Sequence, residues 1–236
     1  MPETWAHRAD LAESAITERH AQKLWMLPKT NMAVVAWPPG LKDKLFWHWH
    51  YWWQAQYLDC QVDAAMRRPT KTRRRRILQT MHTIQGRSRG RLTRNIYYDD
   101  KAWLALAWAR AGQLPKNNGK VSSKRSKVLE DLEFDLLSGI DPVVGVLPWR
   151  TGETFYNIPS NATAAMVFAR TGRLDKAREI VDWIFDNLVR EDGLLSDGVR
   201  MRMSGPEVVD KIYTYNQGTV LGASLEIALA LREDVG

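Results

Sequence analysis

Residues 160–189 read SNATAAMVFARTGRLDKAREIVDWIFDNLV. Two apolar runs with helical spacing flank Thr171-Gly172-Arg173, so Ser160 to Thr171 and Leu174 to Val189 are expected to form a tight helical hairpin. The same grammar extends in both directions. Upstream, helices are expected over 8–27 (stopped by Pro28), 46–67 (broken by Pro69), 72–85 (ended by Gly86), 99–111 (closed by Gly112) and 123–138; downstream, one is expected over 215–231. Longer loops fall at 32–44, 139–159 and 191–211. No strand alternation runs beyond a few residues, and no fixed-period repeat occurs. Helix and loop alternating in this way is the pattern of stacked helical hairpins, found in solenoids and closed α-toroids. Without sequence repetition, the toroid is the better match. The expected fold is all-α, in a single domain over 1–236.

The 236 residues suffice for one real core, and 44% hydrophobic with 26% charged residues is the balance of a globular protein. No stretch approaches the roughly 18 apolar residues of a membrane span. The polar N-terminus lacks the pattern of a secretory signal, so the chain as given is expected in the cytoplasm unless a leader has been removed. The single cysteine, Cys60, excludes an internal disulfide and a multi-cysteine zinc site; its apolar helical setting predicts a buried, inert thiol. The five histidines show no ligand spacing, and no phosphate-binding glycine motif occurs, so neither a metal nor another cofactor is expected.

The net charge is +7, with a basic run at Lys71 and Arg73 to Arg76 followed by Arg87, Arg89, Arg91 and Arg94. Consecutive arginines on a helix spray charge around the cylinder, so a solvated face is expected; nucleic acid or anionic lipid is the sharper alternative. The eleven tryptophans are more informative, because an indole can stack on the flat face of a sugar while its N–H donates.

Four segments can carry chemistry. The first is Asn95-Ile96-Tyr97-Tyr98-Asp99-Asp100-Lys101-Ala102-Trp103. Acids at a helix start ordinarily serve as caps. Here Tyr97, Tyr98 and Trp103 surround the pair as they would a sugar subsite, and two adjacent carboxylates at a helix start can face one opening. Such a pair suits a retaining glycosidase, with one carboxylate as nucleophile and one as acid/base, because their repulsion separates the two pKa values. The second segment is Tyr213-Thr214-Tyr215-Asn216-Gln217-Gly218, whose amides and phenols offer directional bonds to hydroxyls. The third joins Trp149-Arg150 to Asn157 and Ser160-Asn161 through a long loop. The basic run is the fourth.

Taken in order, these segments resemble glycoside hydrolase family 76, the bacterial endo-α-1,6-mannanases. Tyr97 to Trp103 resembles that family's aromatic–Asp–Asp–x–x–Trp signature, and Asn157 with Ser160-Asn161 its Asn–x–x–Ser–Asn segment. Ser196-Asp197-Gly198 resembles its Asp–Gly step, and Thr214 to Gly218 its Tyr–Asn–Gln–Gly motif. The resemblance implies an (α/α)6 barrel, of which about eight helices are expected here where twelve close it. It implies retention, with Asp99 as nucleophile and Asp100 as acid/base. Substrate contacts are implied for Tyr98, Trp103, Trp149, Arg150, Asn157, Asn161, Asp197, Tyr215, Asn216 and Gln217. The implied partner is a mannose-containing polysaccharide or glycolipid glycan, with α-1,6-linked mannan cleaved. Lys101 puts a cation next to the acids and is expected to lower their pKa values. The alternatives are a catalytically inactive or truncated relative that only binds glycan, and a basic helical protein that binds nucleic acid through Arg73 to Arg76.

Overall fold

The computed structural model describes residues 4–114 and 123–233. All eight expected helices are present: α1 (Trp5–His20), α3 (Tyr51–Arg67), α4 (Lys71–Arg87), α5 (Tyr98–Gln113), α6 (Ser123–Ser138), α7 (Ile158–Arg170), α8 (Leu174–Leu188) and α9 (Thr214–Glu233). A short helix, α2 (Leu41–Lys44), adds to them. The chain divides into two compact units, Met1–Arg94 with Ala107–Leu129, and Asn95–Leu106 with Glu130–Gly236.

In the first unit α3 and α4 pack through Leu58, Val62, Ile77, Met81 and Ile84, all buried. Helix α1 buries no residue fully and is held electrostatically. Arg73, only 8% exposed, donates to both Glu13 oxygens, to Asp10 and to the Arg68 carbonyl, while Arg76 donates to Thr17 Oγ1. The arginine run is therefore not a uniformly solvated face. Two of its four members, Arg73 and Arg76, are turned onto α1.

Two helices start or stop elsewhere than expected. Helix α1 ends at His20, because β1 (Ala21–Gln22) pairs antiparallel with β2 (Met32–Ala33) and Trp25 and Met26 turn left-handed. The buried Gln54 amide clamps Ala33 in place through its N–H and C=O. Helix α3 begins at Tyr51, after left-handed turns at Phe46 and His50. Neither turn uses Gly or Pro, so the sequence carries no signal for it. Cys60, expected buried, is exposed, although partial desolvation and the charges of Asp59 and Asp63 raise its thiol pKa.

In the second unit α7 is the central element. Every residue from Ser160 to Ala169 is buried, and the helix packs against both α8 and α9. Asn157 caps it, accepting from Ser160 N–H at 3.3 Å. Gly172, at φ +83°, makes the tight turn into α8, which buries Ala177, Ile180, Val181, Ile184 and Leu188 along one stripe.

Besides β2 in the segment 32–44, two further segments expected as loop hold strands. β3 (Phe155–Asn157), β4 (Gly198–Arg202) and β5 (Gly205–Val209) form an antiparallel sheet in that order, with Asn157 opposite Gly198 and Gly198 opposite Val209. Three to five residues are too few to show alternation against a helical background. Gly198 is required: a Cβ there would lie 2.4 Å from the Tyr156 carbonyl oxygen.

Gly139, just after α6, seats the Tyr98 ring, because a Cβ at this position would fall 2.2 Å from it. Gly139→Ala is expected to lower stability by about 1–3 kcal/mol through this overpacking. Gly86→Ala in α4, where nothing lies within 4 Å of the new Cβ, should instead raise it by about 0.5–1 kcal/mol. Urea denaturation of the two variants checks both signs.

Candidate functional site

The site is built where α5 begins. Residues 95–98 run antiparallel to 149–151: Tyr97 bridges Arg150, Tyr98 N–H donates to the Trp149 carbonyl at 3.1 Å, and Thr151 N–H donates to the Ile96 carbonyl at 2.9 Å. Trp149 N–H in turn donates to the Phe155 carbonyl of β3 at 2.6 Å. This seam delivers the Trp149 indole N–H to the Asp99 carboxylate.

The two acids meet different surroundings. Asp99 is half-buried; its Oδ1 accepts from Asp100 N–H at 3.0 Å. Burial first, and the Asp100 charge second, push its pKa up to about 6, against the opposing pull of Asp100 N–H and the Trp149 indole. Asp100 accepts from Asn95 Nδ2 at 2.7 Å, and Asn95 Oδ1 takes Tyr97 N–H at 3.0 Å. Asn95 thus fixes both the turn into α5 and the second acid. It lies inside the quoted motif, where its Asx-turn chemistry was the available signal.

Lys101 is anchored away from the acids but still feels one of them. It is buried, and its ammonium lies 2.5 Å from Asp135 and 3.9 Å from the centre of the Tyr98 ring; burial lowers its pKa, while Asp135 and then the charge of Asp100 raise it.

A second wall comes from the sheet and α9. Asp197 sits between strands by backbone bonds, its N–H to Val209 O (3.1 Å) and its C=O accepting from Ile158 N–H (2.9 Å). Its carboxylate accepts from Asn216 Nδ2 at 2.9 Å, and burial raises its pKa. Tyr215 is exposed and stacks on Tyr213 at 5.0 Å and 17°. Its phenol pKa is pushed up to about 12 by burial, then by the charges of Asp197, Tyr213 and Asp99. One phenol thus lies within electrostatic range of both Asp197 and Asp99. Asn216 is fully buried, and its Oδ1 has no partner.

The remaining expected contacts divide in two. Trp103 is half-buried, one helical turn beyond the acids. Arg150 pairs with Glu153 at the rim, 5.8 Å from the Tyr97 ring and 5.6 Å from that of Trp149. By contrast, the Asn161 amide is committed to the Leu147 backbone in both directions and to the Asn157 carbonyl. Gln217 clamps Leu195 in the same bidentate way. Asn157 is the α7 cap, and Tyr98 is packed between Gly139 and Lys101. The side chains of these four, expected as substrate contacts, are engaged with neighbouring groups of the protein and hold the walls in place.

A family model, glycosyl hydrolase family 76, matches residues 12–230. The chain belongs to glycosyl hydrolase family 76. Among solved structures, the GH76A α-1,6-mannanase from Salegentibacter sp. HEL1_6 is 22% identical with a TM-score of 0.78, over 96% of this chain and 65% of its own. The Lin0763 protein from Listeria innocua is 23% identical with a TM-score of 0.80, over 98% of this chain and 67% of its own. At these identities the likeness is one of fold, the α/α toroid of the family. The meiotically up-regulated gene 191 protein of Schizosaccharomyces pombe is 27% identical over 146 residues, 55% of this chain and 33% of that protein. The chain thus spans about two thirds of the solved family members and one third of the yeast relative.

Burial of Asp99 has a cost in stability. Between about pH 4 and pH 6 the folded chain keeps a proton on Asp99 that the unfolded chain has lost. The stability this group contributes is complete below pH 4 and is lost as pH rises through 6. Asp99→Asn, which removes the buried charge and keeps the acceptor, should therefore stabilise the protein by about 1–2 kcal/mol at pH 7 and by almost nothing at pH 4. Urea denaturation at the two pH values measures this; an equal effect at both would contradict the assigned burial.

Proposed function

We propose that this chain hydrolyses α-1,6-linked mannan with retention, using Asp99 and Asp100. The observation that carries the reading is the consecutive acid pair at the start of α5, with one member desolvated under an indole and the other held by Asn95. Asp99-Asp100 is the one Asp-Asp step in the sequence. A variant of the Salegentibacter enzyme with two consecutive aspartates replaced by asparagine is described as inactive and in complex with α-1,6-mannotriose. Trp149 and Tyr215 offer flat faces for sugar rings, and the Asp197 carboxylate, held by Asn216, offers acceptors for hydroxyls.

In this mechanism the Asp99 carboxylate attacks the anomeric carbon as the glycosidic C–O bond breaks. Asp100 gives its proton to the departing oxygen. A glycosyl ester on Asp99 results; Asp100, now ionised, takes a proton from water, whose oxygen attacks the same carbon and releases the sugar and the Asp99 carboxylate. The pair must hold one proton and one charge at once. It titrates as a unit, its upper step near 6 where Asp99 loses its proton. With Asp99 as nucleophile, that proton resides on Asp100 when the bond breaks.

Asp99→Asn and Asp100→Asn are each expected to reduce turnover of an α-1,6-mannan by about a thousandfold or more, with the helical circular dichroism unchanged. The plot of kcat/KM against pH should fall on its alkaline side near pH 6, as the pair loses its second proton. Full activity in either variant would reject the roles, and activity rising through pH 8 would reject the shared proton.

A further inference from the structure

The Asn95 carboxamide, half-buried just ahead of α5, works in two directions. Its Oδ1 accepts Tyr97 N–H at 3.0 Å, which closes the Asx turn into the helix. Its Nδ2 donates to Asp100 Oδ2 at 2.7 Å, across five residues. The Tyr97 backbone N–H can only donate, so it settles which end of the amide it meets and leaves the amide N–H for Asp100.

The turn itself needs only the acceptor. Aspartate closes an Asx turn as asparagine does, and a carboxylate ahead of a helix is favoured by the helix dipole. What asparagine adds is the donor. A carboxylate at 95 would set a third negative charge against Asp99 and Asp100, where the amide brings an N–H instead.

That N–H is worth most when Asp100 is ionised. A hydrogen bond to a carboxylate is roughly twice as strong as one between neutral groups. The Asn95 bond therefore strengthens as the proton leaves Asp100 for the departing oxygen, which is when the charge appears. The charged and titratable groups around the pair have other commitments. Lys101, which feels Asp100, pairs with Asp135 of α6, and Arg150 of the seam pairs with Glu153. Tyr215 of α9 feels Asp99 and Asp197.

We infer, on the basis of the hydrolysis proposed above, that Asn95 is a positioning residue for the acid step. Its Nδ2 aims the Asp100 carboxyl and takes up part of the charge that forms there as the glycosidic oxygen gains the proton. Asn95 need not touch the sugar to do this.

Two variants separate the donor from the turn. Asn95→Asp keeps the acceptor for Tyr97 N–H and puts an oxygen where the donor was. Asn95→Ser keeps a hydroxyl acceptor, one bond shorter, and adds no charge. Each is compared with the parent on an α-1,6-mannan, whose departing oxygen needs a proton, and on a 2,4-dinitrophenyl α-mannobioside, whose phenolate leaves without one. On mannan, kcat/KM should fall about tenfold or more in both variants, the worth of a hydrogen bond to a charged group. On the aryl glycoside it should stay close to that of the parent. In Asn95→Asp the alkaline fall on mannan should also move up from near pH 6 by about one unit, because the added carboxylate holds the last proton of the pair more tightly.

Equal losses on the two substrates, or a fall that stays near pH 6 in Asn95→Asp, would leave Asn95 a turn residue only and overturn the assignment. Carbon-13 spectra of the aspartate carboxyls against pH read the pair without any substrate. Their upper step should rise in Asn95→Asp, and an unmoved step overturns the assignment whatever the activity. A parent that cleaves neither substrate would instead overturn the hydrolysis itself.

Discussion

The site depends on one short backbone seam. Residues 95–98, which lead into α5, pair with 149–151, and through Trp149 with the first residue of β3. Without that pairing the Trp149 indole does not reach Asp99, and the acid at the head of α5 is an ordinary solvated cap. With it, the carboxylate is half-covered, next to a like charge, and its pKa rises to about 6. The same strand passes through Asn157 into α7, and opposite Asn157 the sheet carries Gly198, one residue after Asp197. Both acidic walls are thereby mounted on a single run of hydrogen-bonded backbone and on the best-buried helix of the unit.

The surrounding polar residues show how much structure is committed to holding these groups. Asn161, Gln217, Asn157 and Asn95 spend their amides on backbone groups or on Asp100. Buried amides with both ends satisfied fix geometry at little net cost. Lys101 likewise neutralises Asp135 and supports the Tyr98 ring from below. Against these satisfied groups stand the desolvated Asp99 and the Oδ1 of the buried Asn216, which has no partner.

Much of this was legible in the sequence. The eight helices follow from apolar periodicity with Gly and Pro stops, and the Thr171-Gly172-Arg173 hairpin appears almost residue for residue. The acid pair with its aromatic neighbours was also visible, as was the ordered set of motifs. The losses have physical causes. Strands of three to five residues cannot establish a period of two, so the sheet carrying Asp197 read as loop. Left-handed turns at Trp25, Phe46 and His50 lack glycine, so helices were drawn through or up to them. Motif residues also do not declare their direction: Asn161 and Gln217 read as sugar ligands but face backbone, and Lys101 reads as a neighbour of the acids but pairs with Asp135. The arginine run misled for the same reason, since nothing in four consecutive arginines tells which of them meets Glu13 across 60 residues.

The central claim is that Asp99 becomes covalently linked to the sugar during turnover. Incubating the protein with a 2-deoxy-2-fluoro-α-mannosyl fluoride, which forms the glycosyl ester but hydrolyses it slowly, and mapping the modified peptide by mass spectrometry tests this directly. The account predicts one fluoromannosyl group on Asp99, absent in Asp99→Asn. An adduct on Asp100 or elsewhere, or none while mannan is still cleaved, would contradict it.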